Sequence, residues 1–367
     1  MMTSYQYTRN KTNSSKKVLK VILRILAVIL ALVLFLVGTL ALTIKMILGS
    51  TSPKAKSILT TTLLETGQLK FVVSLFLDAD EIQEIVDANS MEAFDDSVNT
   101  DLIKINGSTD TDDPALPADS GKDVEVFEIP GRTYTGYLIK VKDPSRVSLA
   151  TIYPWRDEGV TLDVLVKESG SLGGINGGIY NSYNNSGGAP MGVVVSHGEI
   201  QMNNPQGDRG YVLIGLTEDN ILEIFPIDQY SPAQMEQVIR DKKIRDAVTF
   251  QEESSDSNNH FVQLVINGKE RGLNGEGSGL NPRTAIGQCA DGSILMLVTD
   301  GRGKSGHLGA SASDLIDIMI EYGAVNAANL DGGSSSCMYY DNDWLMTSVT
   351  FYYSNSSWKL PFAFVVK

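Results

Sequence analysis

A chain of 367 residues, 42% of them apolar, can hold one large domain with accessories and bury a packed core. Its net charge of −14 is uneven: residues 1–24 carry Arg9, Lys11, Lys16, Lys17, Lys20 and Arg24 and no acid, leaving the remainder at about −20. That balance excludes nucleic acid as the partner of the main body.

Ile25 to Ile44, ILAVILALVLFLVGTLALTI, is an uncharged apolar run. At about 1.5 Å per residue it spans roughly 30 Å, the hydrocarbon thickness of a bilayer. The basic flank is N-terminal, so the positive-inside rule puts 1–24 in the cytoplasm and everything after Lys45 outside. A cleaved signal peptide would have an apolar core of about 7–15 residues and a small-x-small cleavage site, and neither is clear here. The expectation is a single-pass anchor in the cell membrane with an extracytoplasmic domain.

Residues 45–105 are expected to form a membrane-proximal helical stalk. Ser52-Pro53 offers a cap and a first-turn proline for a helix over 53–66. Leu69–Leu77 is apolar and fits packing within the stalk better than lying on the membrane, and 80–88 forms a further helix with acids near its start. Residues 106–123, NGSTDTDDPALPADSGKD, are too polar and too rich in Pro and Gly to order themselves, so they read as a linker. Asp110, Asp112 and Asp113 resemble the start of a calcium loop but lack its glycine and distal glutamate, so no metal is assigned.

From Val124 to Lys367 the pattern is β-rich, with short apolar runs broken by Gly, Asn, Asp or Pro. Ser196-His197-Gly198, Glu218-Asp219-Asn220 and Asn267-Gly268 read as hairpin turns. Residues 232–245 suit a helix capped by Ser231, and 347–353 and 360–367 suit closing strands. The predicted class is α+β: a mixed β-sheet domain with few helices and one βαβ crossover, behind a transmembrane helix and a short stalk.

The crossover lies between Arg283 and Ser336. An apolar strand over 294–298 ends in Thr299-Asp300-Gly301-Arg302, a helix runs over 311–322 with Gly323 as its stop, and a second short strand ends in Leu330-Asp331-Gly332-Gly333. Strands joined through a helix run parallel and right-handed, which brings both aspartates to one sheet edge, where α/β folds bind ligands.

Four clusters carry chemistry: Gly173–Asn181 (GGINGGIYN, with Asn176 and Gly177), Asn281-Pro282-Arg283-Thr284, Asp300-Gly301-Arg302, and Asp331-Gly332-Gly333-Ser334-Ser335. Guanidinium groups suit phosphate or carboxylate, and paired carboxylates suit glycosyl transfer to water. Gly301–Gly306 fits a dinucleotide fingerprint, but the helix begins too late for its N-terminus to meet a pyrophosphate. His197, His260 and His307 are scattered, so zinc is not indicated, and no nucleophile elbow is present. No cofactor is expected. Cys289 and Cys337 fit either a disulfide between neighbouring strands or two buried thiols.

GGINGGIYN, PRTAIGQ, VTDGRGKSGHLGAS and NAANLDGGSSS, in this order, resemble the phosphodiester glycosidase family across about 125–367. The resemblance implies hydrolysis of a sugar-1-phosphodiester, with bacterial relatives tied to exopolysaccharide. It places the site on Asn176, Gly177, Arg283, Thr284, Asp300, Arg302 and Asp331–Ser335. Asp300 or Asp331 would then be base or nucleophile, Arg283 and Arg302 would hold phosphate, and Asn176 with the Asp331–Ser335 turn would hold sugar hydroxyls. Two positions depart from the family pattern: Ser334 replaces a glycine and His307 a serine. The resemblance implies a sugar phosphate or anionic glycan of the envelope as the substrate. A non-catalytic glycan-binding or assembly protein, or a glycosidase for neutral sugars, are the alternatives.

Overall fold

The computed structural model describes residues 3–66, 69–94, 96–105, 121–207, 210–252, 261–349 and 355–367, with side chains from Lys16 onward. The chain divides into two compact units, Met1–Leu59 and Thr60–Lys367. In the first, the helix Thr3–Leu48 contains the stretch Lys16–Leu48, whose most apolar 18-residue window has a mean hydropathy of 3.1 and no buried residue. Its length and composition are sufficient to cross a bilayer.

The second unit holds three main sheets. The largest has seven strands in the order Val124–Pro130, Thr135–Val141, Ile294–Thr299, Arg283–Cys289, Ala324–Asn329, Gln263–Ile266 and Lys269–Glu270. Every neighbouring pair in it is antiparallel. The α+β class therefore holds, and the crossover takes a particular form. Strands Ile294–Thr299 and Ala324–Asn329 run parallel to each other, but Arg283–Cys289 lies between them, antiparallel to both. Their C-terminal ends still open at one edge, and Arg283, paired with Thr299, starts there too.

Side-chain alternation explains the apolar run over 294–298. Leu295 and Leu297 face the helix Ala312–Glu321, in a cluster with Leu315, Ile316, Ile318 and Met319. Ile294, Met296 and Val298 face the opposite way, into the main core shared with the other sheets. A strand buried on both faces needs no polar alternation. The crossover helix is fixed at its start by a reciprocal Ser311–Asp314 capping box and stops at Gly323, whose φ of 87° only glycine adopts cheaply.

The two five-stranded sheets are Leu222–Pro226, Tyr211–Thr217, Ile244–Gln251, Val193–Ser196, Glu199–Asn203, and Asp343–Met346, Met338–Tyr340, Gly173–Asn176, Phe362–Val366, Val147–Thr151. The three expected hairpins form, with positive φ at His197, Gly198, Asn220, Asn267 and Gly268. The helix expected over 232–245 is shorter. It ends at Asp241, and after Lys243 at φ 51° the chain enters the strand Ile244–Gln251. The buried residues Ile244, Ala247 and Val248 gain more by pairing at the centre of a sheet than by extending a half-exposed helix.

The expected stalk divides at Leu59. Residues 60–105 belong to the second unit: Met91 bridges Leu273, Glu92 N–H donates to Gly272 O at 2.9 Å, and Lys104 N–H donates to Ala290 O at 2.8 Å. Phe94 and Val98 pack on the main core, so these apolar residues act as wall rather than stalk. Within the expected linker, 106–120 lie outside the described residues, as do His260, Asp110, Asp112 and Asp113, and 350–353 of the strand expected over 347–353. Cys289 and Cys337 are separate buried free thiols in two different core clusters, which settles the disulfide alternative in favour of thiols.

Candidate functional site

Two turns more than a hundred residues apart in sequence are joined at the open edge. Asn176, the last residue of its strand, is fully buried. Its Nδ2 donates to Asp331 O at 2.6 Å, and its Oδ1 accepts from Thr284 Oγ1 at 2.8 Å and Cys337 N–H at 3.2 Å. Asp331 N–H in turn donates to Gly177 O at 3.2 Å. The next residue packs on the strand Ile244–Gln251 closely enough to require glycine: a Cβ at Gly178 would stand 2.1 Å from Thr249 O. Asn176, expected to hold sugar hydroxyls, and Thr284, expected in the substrate site, have no exposed surface and spend their polar atoms bracing these turns.

Asp331 itself is partly exposed. Close packing around its carboxyl pushes its pKa up to about 7, against the opposing pull of Ser335, the Arg302 charge and the Gly332 N–H. Ser335 is held in place by Tyr180, Oγ to Oη at 2.9 Å. Tyr180 is buried and its phenol is pushed well above the usual range, by desolvation first and then by the Asp331 charge. At Gly333, φ is 63° and a Cβ would lie 2.8 Å from Arg302 Nη2, so the turn leaves room for the guanidinium and for nothing larger.

Arg302 donates from Nη1 to Ser334 Oγ at 3.0 Å and from Nε to Asn281 Oδ1 at 3.2 Å. Its pKa is lowered by burial and by the neighbouring Arg283 charge, which Glu65 and Asp331 offset. Arg283 is deeper, at 7% exposure. It donates from Nε to Ala310 O, and from Nη2 to Gly279 O, Ser278 Oγ and Glu65 Oε2, with its guanidinium carbon 5.0 Å from the centre of the Phe261 ring. The two arginines thus differ: Arg302 faces the Asp331 turn, while Arg283 is committed to protein partners.

The two aspartates differ as well. Asp300 is 3% exposed, and its Oδ1 accepts from Thr135 N–H at 2.7 Å. His307 Nδ1 approaches Asp300 Oδ2 at 2.8 Å and Oδ1 at 3.0 Å. Asp300 therefore orients an imidazole and is closed on its own account. Lys304, its pKa lowered by burial, anchors the intervening loop on Thr347 O at 3.1 Å. Both departures from the family pattern thus touch a charged site residue: Ser334 bonds Arg302 and His307 bonds Asp300. Where a dinucleotide fingerprint would need a helix start, Ser311 is fully buried and its capping box is already filled. Among the described residues no cluster of three His, Cys, Asp or Glu side chains is arranged to hold a metal.

This geometry sits on a recognisable stretch of chain. Residues 169–367, more than half of the sequence, match the profile of the family described as Phosphodiester glycosidase. The chain belongs to the phosphodiester glycosidase family. In overall fold it is similar to the catalytic domain of zebrafish N-acetylglucosamine-1-phosphodiester α-N-acetylglucosaminidase, auto-inhibited by pro-peptide. The TM-score is 0.51 at 15% identity, covering 68% of this chain and 85% of that one. An exported protein of Burkholderia pseudomallei K96243 aligns at TM-score 0.43 and 14% identity, over 64% of this chain and 74% of that one. An SPbeta prophage-derived uncharacterized protein of Bacillus subtilis (strain 168) is 41% identical over 56 residues, 15% of this chain and 8% of that relative's length.

As a phosphodiester glycosidase family member, the chain carries a glycosidase-type fold whose matched stretch begins at 169. The strands over 124–151 and the segment bearing Glu65 lie upstream of that stretch and still build the same unit. Sequence reasoning missed Glu65, which carries no motif. It also passed over Asn281 and Tyr180, although both stand inside stretches it singled out.

Proposed function

We propose that the protein hydrolyses a sugar-1-phosphodiester, breaking the bond between the anomeric carbon and the phosphate oxygen. The observation that supports this best is Asp331, a half-buried residue whose carboxyl is shifted to about 7 by desolvation and set beside Arg302. A carboxylate tuned to neutrality can take a proton from water, or attack the anomeric carbon directly. The departing phosphomonoester is a stable anion that needs charge stabilisation more than a proton, and Arg302 offers it from a desolvated position. Gly332, Gly333, Ser334 and Ser335 line the turn that would meet the sugar. Asp300 serves through His307, and Arg283 holds the loop that carries Ser278 and Gly279.

In this reading the apolar helix anchors the protein with residues 1–24 in the cytoplasm and the domain outside, where envelope glycans or exopolysaccharide carry sugar phosphates. The alternative of a glycan-binding or assembly protein predicts affinity without turnover. One experiment separates these readings: intact expressing cells are given sugar-1-(methyl phosphates), which are anionic and do not cross the membrane, alongside the neutral methyl glycosides. Release of sugar from the phosphodiesters alone is expected. Turnover of the neutral glycosides at an equal rate, or release only after lysis, would contradict the substrate class or the location respectively.

A further inference from the structure

We infer that Glu65, about a hundred residues upstream of the family-matched stretch, is a positioning residue that sets Arg302 for its anion. The inference rests on the phosphate-binding reading of Arg302. Glu65 follows the helix Pro53–Leu64, and its side chain is 4% exposed. Three protein donors converge on it: Gly279 N–H on Oε1 at 2.5 Å, and Asn281 Nδ2 at 2.9 Å and Arg283 Nη2 at 2.5 Å on Oε2.

An ionised carboxylate only accepts hydrogen bonds. It therefore dictates which end of the Asn281 amide faces it. With Nδ2 turned to Glu65, Oδ1 is turned to Arg302 Nε, and Arg302 Nη1 is directed to Ser334 Oγ in the Asp331 turn. A single relay runs from Glu65 through Asn281 and Arg302 to Ser334. The charge works in the same direction. Arg283 and Arg302 are close enough for one to depress the other's proton affinity, and Glu65 offsets that repulsion. Both Glu65 oxygens are taken by protein groups, so it acts through Arg302 and has no free atom for the substrate. The upstream segment is a working part of the site for this reason.

The test uses the full chain in detergent, inorganic phosphate as the probe with affinity measured by calorimetry, and kcat and KM on a sugar-1-(methyl phosphate). Glu65→Gln presents a donor to donors, and it is expected to weaken phosphate binding at least tenfold and raise KM to match. Asn281→Ala breaks the relay one step later while leaving the Glu65–Arg283 pair, so it is expected to give a similar loss even if Glu65→Gln fails to fold. Thr62→Val removes a bond to the same loop, Leu280 N–H to Thr62 Oγ1 at 3.0 Å, without touching either arginine. It should lower the melting temperature and leave phosphate affinity within twofold. Phosphate binding by Asn281→Ala within twofold of wild type overturns the inference. So does tighter binding by Glu65→Gln, which would make Glu65 a plug. A wild-type protein that binds no phosphate overturns the functional reading as well, and the relay falls with it.

Discussion

Replacing Asp331 by Asn should cut turnover by orders of magnitude and, at alkaline pH, stabilise the fold. The folded carboxyl has a pKa of about 7 against an unfolded value near 3.8. A group with a raised folded pKa holds its proton more tightly when folded, so stability falls as pH rises from the unfolded value to the folded one and is level above it. Each unit is worth about 1.4 kcal/mol, so between pH 5 and pH 8 the wild type loses up to about 3 kcal/mol through this group. Asparagine keeps an acceptor for Ser335 and never ionises. The stability gain of Asp331→Asn over wild type should therefore grow by about 2–3 kcal/mol from pH 5 to pH 8, seen in denaturant melts at the two pH values. Turnover should drop by about 10²–10⁴-fold, the usual contribution of a positioned acid or base. A gain that is flat with pH would mean the carboxyl is not the group that titrates near neutrality.

Arg302 carries the second large effect. Arg302→Ala removes a desolvated charge, leaves Ser334 and Asn281 short of a donor, and deprives Asp331 of the cation that holds its proton affinity down. Losing one preorganised charged donor is expected to lower kcat/KM by about 10²–10³-fold. Any residual activity should also rise with pH later than in wild type, because Asp331 ionises less readily without its counter-charge. Arg302→Lys restores the charge without the two-point geometry, so its profile should return towards the wild-type position while the rate recovers only in part. A kcat/KM series from pH 5 to pH 9 on all three proteins separates these effects. An unmoved profile in Arg302→Ala would mean that Arg302 and Asp331 do not share a site.

The local signals were the legible ones. An apolar run ending in Thr299-Asp300-Gly301, a capped helix and a second run ending in Asp331-Gly332-Gly333 are each written in neighbouring residues. Their product, two parallel strand ends at one edge, follows from handedness alone. The stretch from Arg283 also reads as a strand, but its place between those two did not show, because antiparallel pairing between two parallel strands depends on partners set by the whole sheet.

Nor could the sequence tell Asp300 from Asp331, since both close a strand and precede a glycine. What separates them is spatial: His307 and the Thr135 amide close off Asp300, which is buried, while Asp331 is a half-buried residue on the turn that Arg302 faces. Glu65 was invisible for the same reason, being an ion-pair partner 218 residues from Arg283 with no periodicity to mark it. Asn176, expected to hold sugar hydroxyls, instead has a buried amide that braces the two turns.

The measurement closest to the central claim is hydrolysis of a sugar-1-(methyl phosphate) in H₂¹⁸O by the wild-type protein. Attack at the anomeric carbon puts the label on the released sugar and leaves methyl phosphate unlabelled, as a glycosidase acting through Asp331 and Arg302 requires. Label in the phosphate would show cleavage at phosphorus and contradict the account.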